Sequence, residues 1–242
     1  MKAVILAAGV GTRLKPITGG NIPKVMVDLI GKPLLRYIVE TLGAKGIKEI
    51  VMVVGYKKEQ IMRYFGDGSR FGVRIEYVEQ ADPKGGTADA VRCARGKIDT
   101  GKSSDKFFVI YGDNVFEPEV IDSMLAKSSS CDGVLCGKPV DEPKKYGILE
   151  IENGLVKRIH EKPEHPPSNL ANSGLFILPI QIFDAIEHTQ LSPRGEYELT
   201  DSIQILIDRG LKFGCVKIEG FWIDVGDGER LQKAKEHIKN ML

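Results

Sequence analysis

The first apolar run of the chain leads directly into a glycine loop. The run KAVIL (2–6) has the composition of a short buried strand, and GVGTRL (9–14) follows it. Glycines allow a backbone to approach a ligand closely, and successive N–H groups can cradle a phosphate. Taken alone, the loop indicates either an anion site that ends in Arg13 or a tight turn that needs positive φ, and it leaves both open.

Strand-like and helix-like patterns alternate through the first half of the chain. Further β-type apolar runs are EIVMVVG (49–55), VRIEYVE (73–79) and KFFVIYGD (106–113). Helical patterns lie between them at 33–46, 57–66 and 86–96. The first helical pattern has one apolar face: Leu34, Leu35, Ile38, Val39 and Leu42. The alternation predicts an α/β fold, Rossmann-like and doubly wound, with a mostly parallel sheet covered by helices on both faces.

The second half of the chain changes character. Residues 146–163 alternate around Asn153-Gly154, the strongest short hairpin signal. The later segments favour a strand, two helices, two strands and a last helix, in the order 172–178, 179–188, 197–210, 213–220, 221–226 and from Asp227 onward. We therefore expect an antiparallel excursion around residues 140–200 that covers the carboxyl edge of the parallel strands, where open α/β folds bind ligands.

Composition argues against several classes of function. A net charge of +1 gives no general electrostatic case for nucleic acid or an anionic membrane, and no basic stripe carries interleaved aromatic residues. No apolar run approaches the ~20 residues of a membrane span, and the N-terminus lacks a signal-peptide layout, so we expect a cytoplasmic protein. The absence of CxxC spacing favours buried free thiols for all four cysteines: Cys93, Cys131, Cys136 and Cys215.

A dinucleotide fingerprint is one explanation of the glycine loop. Gly9 and Gly11 have its spacing, and Asp28 lies at about the distance of a ribose-binding acid. The fit is incomplete, because the third glycine is missing and no clean βαβ unit follows. A Walker loop does not fit either, since no Gly-Lys-Ser/Thr follows. Arg13 and Lys24 offer another explanation, because two cations and a glycine loop can together clamp a polyphosphate.

The extended motif resembles that of the sugar-1-phosphate nucleotidylyltransferases. That family opens with LAAG-x-GTRL-x-P-x-T, followed by P-K and a G-K-P-L-L run. This chain has LAAGVGTRLKPIT (6–18), PK (23–24) and GKPLL (31–35). One departure is the stretch between Thr18 and Pro23, which has four residues where relatives commonly have three.

The resemblance implies roles for the residues of this opening motif. Arg13 would hold the leaving pyrophosphate, and Lys24 would contact the triphosphate at its reacting end. Further nucleotide-binding residues implied by the motif are Leu6, Ala8, Gly9, Gly11 and Thr12.

Later segments resemble the family in the same order along nearly the whole chain. EQADPKGGTADAV (79–91) resembles the base-recognition loop, and the residues that would read the base edge are Gln80, Gly85 and Gly86. YGILE (146–150), EKP (161–163) and NSGLFIL (172–178) resemble the sugar-binding segments. The sugar-binding residues implied there are Tyr146, Gly147, Glu161, Lys162 and Asn172.

Two carboxylates take the metal positions of the family pattern. The segment 109–116 resembles the strand that ends in the first ligand, Asp113, and the segment 221–227 carries the second, Asp224. Each could instead cap a helix, as could Asp227. Together, Asp113 and Asp224 suit Mg²⁺, which typically takes one or two carboxylates plus phosphate oxygens.

The resemblance implies a nucleotide-diphospho-sugar transferase fold and a defined reaction. A phosphate oxygen of a sugar 1-phosphate would attack the α-phosphorus of a nucleoside triphosphate in line, and pyrophosphate would leave. The nucleophile is already an anion, so the chemistry needs charge neutralisation and positioning rather than a general base. The catalytic cations would be Arg13, Lys24 and Lys162, although Lys162 taken alone has the character of a surface lysine.

The sequence favours one pair of substrates without excluding others. We expect dTTP or UTP with glucose 1-phosphate, thymidylyl transfer first and uridylyl transfer second. Other bases (CTP, GTP or ATP) and other acceptors (mannose or N-acetylglucosamine 1-phosphate) stay open. Two other classes also stay open: an NAD-dependent oxidoreductase and a non-catalytic nucleotide-sugar sensor. The family often forms homodimers or homotetramers, but this sequence carries no interface signature.

We expect a single catalytic domain, residues 1–242, without a C-terminal β-helix domain. Its expected parts are a nucleotide-binding lobe (1–139), a sugar-binding lobe that carries the second metal ligand (140–226), and a C-terminal helix (227–242).

Overall fold

The structure, a computed structural model, describes residues 1–82, 84–98 and 105–241. Pro83, in the expected base-recognition loop, and Leu242, at the end of the expected last helix, lie outside the described residues. The strands are β1 (Ala3–Ala7), β2 (Glu49–Val54), β3 (Arg74–Glu79), β4 (Lys106–Tyr111), β5 (Asn114–Phe116), β6 (Gly133–Pro139), β7 (Gly147–Glu152), β8 (Leu155–Glu161), β9 (Leu170–Pro179), β10 (Phe213–Lys217) and β11 (Trp222–Asp224). The α-helices are α1 (Lys15–Thr18), α2 (Leu34–Ala44), α3 (Lys58–Phe65), α4 (Gly86–Cys93), α5 (Arg95–Ile98), α6 (Glu119–Ser128), α7 (Ile182–Glu187), α8 (Leu199–Asp208) and α9 (Gly228–Met241).

Nine of these strands form one sheet, in the order β3-β2-β1-β4-β9-β6-β10-β8-β7, and β5 pairs with β11 in a separate ribbon. The neighbours β3, β2, β1 and β4 are parallel, as are β6 and β10. β8 and β9 run against the other seven strands of the sheet. The mostly parallel, doubly wound α/β sheet expected from the sequence is therefore confirmed.

Side chains alternate between the two faces of the sheet and build two cores. In β1, Ile5 belongs to the core shared with α2, α3 and α6, whereas Val4 belongs to the core shared with α4, α7 and α8. Ile177 and Phe176 of β9 divide in the same way. The apolar face predicted for α2 is buried as expected. Burial on both faces explains why the parallel strands are continuous apolar runs.

The antiparallel strand β9 lies inside the sheet, whereas the sequence predicted an antiparallel excursion that covers one edge of it. β9 sits between β4 and β6 in the middle of the sheet, and its residues 173–179 are all buried. Because β9 is antiparallel to β4, its first residues lie beside the last residues of β4. A Cβ on Gly174 would lie 2.6 Å from Cδ2 of Tyr111. This register brings the start of β9 to the carboxyl edge of the parallel strands.

Two elements between residues 117 and 139 were not expected, namely α6 and β6. β6 contains Gly133 and Gly137, which weaken a strand pattern. Gly133 packs under the ring of Phe213, since a Cβ there would lie 2.3 Å from Cε1 of that ring. The expected helix at 86–96 also ends early, and α4 and α5 are separated at Ala94.

The structure can be compared with two expectations drawn from composition, the state of the cysteines and the absence of a membrane span. The four cysteines are free thiols; Cys131 and Cys136 are buried, whereas Cys93 and Cys215 are partly exposed. Within the described ranges, no helix has the length and apolar character needed to cross a membrane. The division into lobes at 1–139, 140–226 and 227–242 stays a prediction.

Replacing Phe176 tests the central place of β9. Phe176→Ala should lower the free energy of unfolding by about 3–5 kcal/mol, because the ring is fully buried and packs against Tyr111. The matched change Ile151→Ala, at a side chain 37% exposed on β7, should cost about 0.5 kcal/mol or less. Urea denaturation followed by circular dichroism measures both. Equal losses in the two variants would contradict the burial of β9.

Candidate active site

The glycine loop after β1 packs directly on Lys24. Gly11 has a φ of +64°, and a Cβ placed there would lie 2.4 Å from Cβ of Lys24. The left-handed backbone and the contact each require glycine at this position. The loop closes through a hydrogen bond of 3.0 Å from the N–H of Leu14 to the carbonyl of Gly11. It is a tight turn that needs positive φ, and its backbone also lines a cavity.

This cavity, the glycine-loop cavity, has a volume of about 500 Å³ and lies between the loop, the end of β4 and the start of α4. Most of the residues predicted to bind nucleotide line it: Leu6, Ala8, Gly9, Gly11, Thr12, Gln80 and Gly86. Two of the predicted residues lie elsewhere. Arg13 lines a second cavity, where its guanidinium lies against Gly226, and Gly85 packs on Asp89.

Two hydrogen bonds fix the side-chain amide of Gln80. Its Nε2 donates to the carbonyl of Gly86 and to Oδ2 of Asp89, both at 2.9 Å. A backbone carbonyl and a carboxylate only accept hydrogen bonds, so Nε2 must face them. Oε1 is then the polar atom of the amide that is left to face the glycine-loop cavity, which Gln80 lines. The buried amide therefore presents an acceptor to whatever occupies that cavity.

The start of α4 is joined to the loop that precedes α8. Gly86 has a φ of +82°, and a Cβ there would lie 2.4 Å from the carbonyl oxygen of Tyr197. The N–H of Tyr197 donates to the carbonyl of Gly85 at 3.2 Å, and the N–H of Ala88 donates to the carbonyl of Tyr197 at 2.9 Å. The contact fixes the adjacent Glu196 where it lines both cavities.

The second cavity, the hairpin cavity, has a volume of about 880 Å³ and lies between the β7–β8 hairpin, the start of β9 and the start of α9. Each of the predicted sugar-binding residues lines it: Tyr146, Gly147, Glu161, Lys162 and Asn172. Both predicted metal ligands and both predicted cations of the opening motif line it too: Asp113, Asp224, Arg13 and Lys24.

The β7–β8 hairpin ends at Glu161, and the backbone of the next residue, Lys162, is strained. Lys162 has a φ of +41°, and its N–H donates to the carbonyl of Tyr146 at 3.1 Å. Glu161 pairs with Gly147 across the hairpin. Burial raises the pKa of the Glu161 carboxyl, and the charge of Arg194, 3.4 Å away, opposes that increase. The hairpin thus places a cation and a partly buried carboxylate side by side at the cavity wall.

The two cavities meet at an ion pair. Five residues line both of them: Lys24, Thr87, Tyr111, Asp113 and Glu196. Among these, Lys24 and Asp113 form an ion pair, with about a fifth of each side chain exposed. A ligand in one cavity therefore lies next to a ligand in the other at this point.

Asp113 and Asp224 approach each other through the β5–β11 ribbon. The ribbon pairs Asp224 with Asn114, and the N–H of Val225 donates to the carbonyl of Asp113 at 2.8 Å. Burial raises the pKa of Asp224, and the charge of Asp113 adds to that increase while Arg230 opposes it. The two carboxylates therefore repel each other and favour a cation between them.

The residues present fit a metal ion that a substrate helps to hold. No group of three or more protein ligands for a metal occurs among the described residues. Two carboxylates that leave the other positions to phosphate oxygens and water match the preference of Mg²⁺. Each carboxylate has a basic partner in this structure, Lys24 for Asp113 and Arg230 for Asp224.

Arg230 is a site residue that the sequence did not reveal. Its guanidinium pairs with Asp224, donates to the hydroxyl of Tyr146 at 2.8 Å and lies over the ring of that tyrosine, 5.1 Å from its centre. In the sequence, Arg230 is one charged residue among several at the start of α9. The contact with Asp224 exists only because α9 packs next to β11, so no local pattern signals it.

Three neighbouring residues have contacts that indicate structural roles. Asp227 caps α9, since its Oδ1 accepts from the N–H of Arg230 at 3.0 Å. Trp222 is 8% exposed and donates to the carbonyl of Ser173 at 3.1 Å, so it packs the floor beneath the site. Asp28, on which the dinucleotide explanation depends, is exposed and forms an isolated bridge with Pro33.

Two known proteins are similar to this chain over almost its whole length. The chain is 38% identical over 239 residues to the low-salt glycan biosynthesis nucleotidyltransferase Agl11 of Haloferax volcanii, which covers 98% of this chain and 65% of Agl11. It is 36% identical over 243 residues to the UTP–glucose-1-phosphate uridylyltransferase AglF of the same organism, which covers 99% of this chain and 97% of AglF. The chain thus spans about two thirds of one relative and nearly all of the other.

A solved structure gives the same result for the fold. A UDP-glucose pyrophosphorylase complexed with UDP-glucose superimposes with a TM-score of 0.86 at 27% identity, and the match covers 100% of this chain and 99% of that one. The model of the nucleotidyl transferase family matches residues 2–241. The chain therefore belongs to the nucleotidyl transferase family, which confirms the resemblance to sugar-1-phosphate nucleotidylyltransferases found in its motifs.

Proposed function

We propose that this protein transfers a nucleotidyl group from dTTP or UTP to glucose 1-phosphate, giving the nucleotide sugar and pyrophosphate. The observation that carries the proposal is the junction of the two cavities at Lys24 and Asp113. One cavity has a glycine-loop wall suited to a triphosphate. The other has the polar and charged lining that a phosphorylated sugar needs. Two anionic substrates bound there would meet beside a lysine.

The acceptor presented by Gln80 supports a uracil or thymine base. Both of those bases carry an N3–H donor, whereas the N3 of cytosine is an acceptor. Oε1 of Gln80 has the right polarity for the first two and the wrong one for the third, because its Nε2 is engaged by Gly86 and Asp89. The name of AglF, a relative of nearly the same length, agrees with UTP.

In the proposed mechanism, the chain acts by positioning and by neutralising charge. Lys24 would lie on the α-phosphate, where the two cavities join, and Lys162 would hold the phosphate of the incoming sugar. Arg13, which lines the hairpin cavity beside Gly226, would hold the departing end of the triphosphate. Glu161 and Asn172 would orient the sugar through its hydroxyls. No general base is required, because the attacking phosphate oxygen is already an anion.

Use of a divalent metal ion is general in this family, and we propose Mg²⁺ held by Asp113 and Asp224. Bound there, the ion would neutralise nucleotide oxygens and lower the repulsion between the two anionic substrates. The basic partners of the two carboxylates, Lys24 and Arg230, would then be released toward the phosphates.

Pyrophosphate release across a panel of substrates tests the proposal. With Mg²⁺ and glucose 1-phosphate, we expect turnover with dTTP or UTP to exceed turnover with CTP, GTP and ATP, and NAD to have no effect. The same panel with mannose and N-acetylglucosamine 1-phosphates tests the acceptor. Tight triphosphate binding without pyrophosphate release for any pair would overturn the proposal in favour of a nucleotide-sugar sensor.

Neutralising the two carboxylates separates a metal role from a capping role. Asp113→Asn and Asp224→Asn should each lower pyrophosphate release by a factor of about 10³, because Lewis-acid stabilisation is worth several kcal/mol. Asp227→Asn is the matched control, since asparagine caps a helix as well as aspartate does. An Asp227→Asn variant as inactive as the other two would argue against the metal assignment.

Removing the charge of Lys162 from the hairpin cavity tests the binding of the sugar phosphate. Lys162→Ala should raise KM for the sugar phosphate and lower kcat by about 10²-fold, by analogy with the loss of one electrostatic donor. Lys157→Ala removes another lysine from the same hairpin, one that pairs with Glu150 and Glu152, and should leave both constants near those of the wild type. Unchanged kinetics in Lys162→Ala would remove that lysine from the site.

A further inference from the structure

We propose that Asp89 determines which pyrimidine base the enzyme accepts, because it fixes the orientation of the Gln80 amide. The inference rests on the proposed function, since it requires Gln80 to read the base edge. Asp89 is a positioning residue rather than a binding residue. It lines a separate surface groove, with Arg92 and residues of the loop after α7, whereas Gln80 lines the glycine-loop cavity.

The carboxylate of Asp89 is buried and fixed at both oxygens. Asp89 is 7% exposed, its Oδ1 accepts from the guanidinium of Arg92, and its Oδ2 accepts from Nε2 of Gln80 at 2.9 Å. The carboxylate also packs on Gly85, where a Cβ would lie 2.3 Å from Oδ2. It therefore cannot shift toward the loop, and each of its oxygens already faces a donor.

Only a carboxylate accepts hydrogen bonds at both of these positions. Asparagine has the same shape but carries one acceptor and one NH₂ donor. In Asp89→Asn, the cation of Arg92 would attract the amide oxygen, and the new NH₂ group would then face Nε2 of Gln80. Two donors would meet in a buried place, which is unfavourable. A rotated Gln80 amide relieves that clash, although it gives up the hydrogen bond to the carbonyl of Gly86.

The orientation of Gln80 decides which base edge it can pair with. With Nε2 held by Asp89, Oε1 accepts from the N3–H of uracil or thymine. With the amide rotated, Nε2 faces the cavity and can donate to the N3 of cytosine. Uracil and cytosine have the same ring size, so a change in their ratio reports the polarity of this contact and not the volume of the cavity.

The test compares UTP with CTP in the wild type and in Asp89→Asn. We would measure kcat/KM for both triphosphates with glucose 1-phosphate and Mg²⁺, and their dissociation constants by calorimetry without the sugar phosphate. Asp89→Asn should lower the UTP/CTP ratio by about tenfold or more, with UTP weakened and CTP improved, as expected when one buried contact changes polarity. Asp184→Asn, which neutralises another aspartate that pairs with an arginine, Arg209, should keep the wild-type ratio.

A second variant separates polarity from local stability. Arg92→Gln removes the cation but keeps the carboxylate of Asp89, so it should keep the preference for UTP even where it lowers thermal stability. Equal losses for UTP and CTP in Asp89→Asn would show a merely structural role and overturn the inference. A wild type that prefers CTP would overturn it as well.

The two proposals fail in different ways. If the wild type releases no pyrophosphate with any triphosphate, the proposed function fails. The dissociation constants would still test Asp89 in that case, because they do not depend on turnover. A UTP/CTP binding ratio that does not change in Asp89→Asn would then overturn the specificity role by itself.

Discussion

The ion pair between Lys24 and Asp113 lies where the two cavities join, and the surrounding structure is arranged around it. Asp113 follows β4, which is the parallel neighbour of β1, so the acid and the glycine loop reach the same edge of the sheet. The stem of Lys24 fills the space that a side chain at Gly11 would need. The loop, the lysine and the carboxylate are therefore one packed unit, and a reaction between two anions needs opposite charges placed in this way.

Charge balance also explains how a nearly neutral protein can handle two anionic substrates. The net charge is +1, yet the hairpin cavity contains several cations and several carboxylates, and partly buried acids among them face basic partners. Asp224 faces Arg230, and Glu161 faces Arg194. When a metal ion and two phosphorylated ligands bind, these side chains would exchange their present partners for the ligands. Each charge would then still face an opposite charge after water is displaced from the site.

Local patterns predicted those parts of the molecule whose partners are close in sequence or whose faces are uniformly buried. The parallel strands β1 to β4 and the apolar face of α2 follow from apolar runs and from helical spacing. The opening motif also predicted a glycine loop directly after β1, because Gly9, Gly11 and Arg13 lie within five residues of one another. What needed tertiary structure was pairing at long range. β9 is in the middle of the sheet because it pairs with β4 and β6, and β6 was missed because its glycines are tolerated only by packing against strands far along the chain. Arg230 and Asp89 contact Asp224 and Gln80, which are only six and nine residues away but lie outside the helices that carry Arg230 and Asp89, so helical spacing does not indicate these contacts.

The central claim is a single, direct transfer between two ligands bound at the junction of the cavities. The stereochemical course at the α-phosphorus tests it most directly. With a UTP or dTTP analogue that carries sulfur at one defined position on the α-phosphorus, one in-line displacement by glucose 1-phosphate inverts the configuration. We predict inversion in the nucleotide sugar product. Retention would require two successive displacements through a nucleotidyl group bound to the enzyme, and it would contradict a site in which both substrates lie side by side at Lys24 and Asp113.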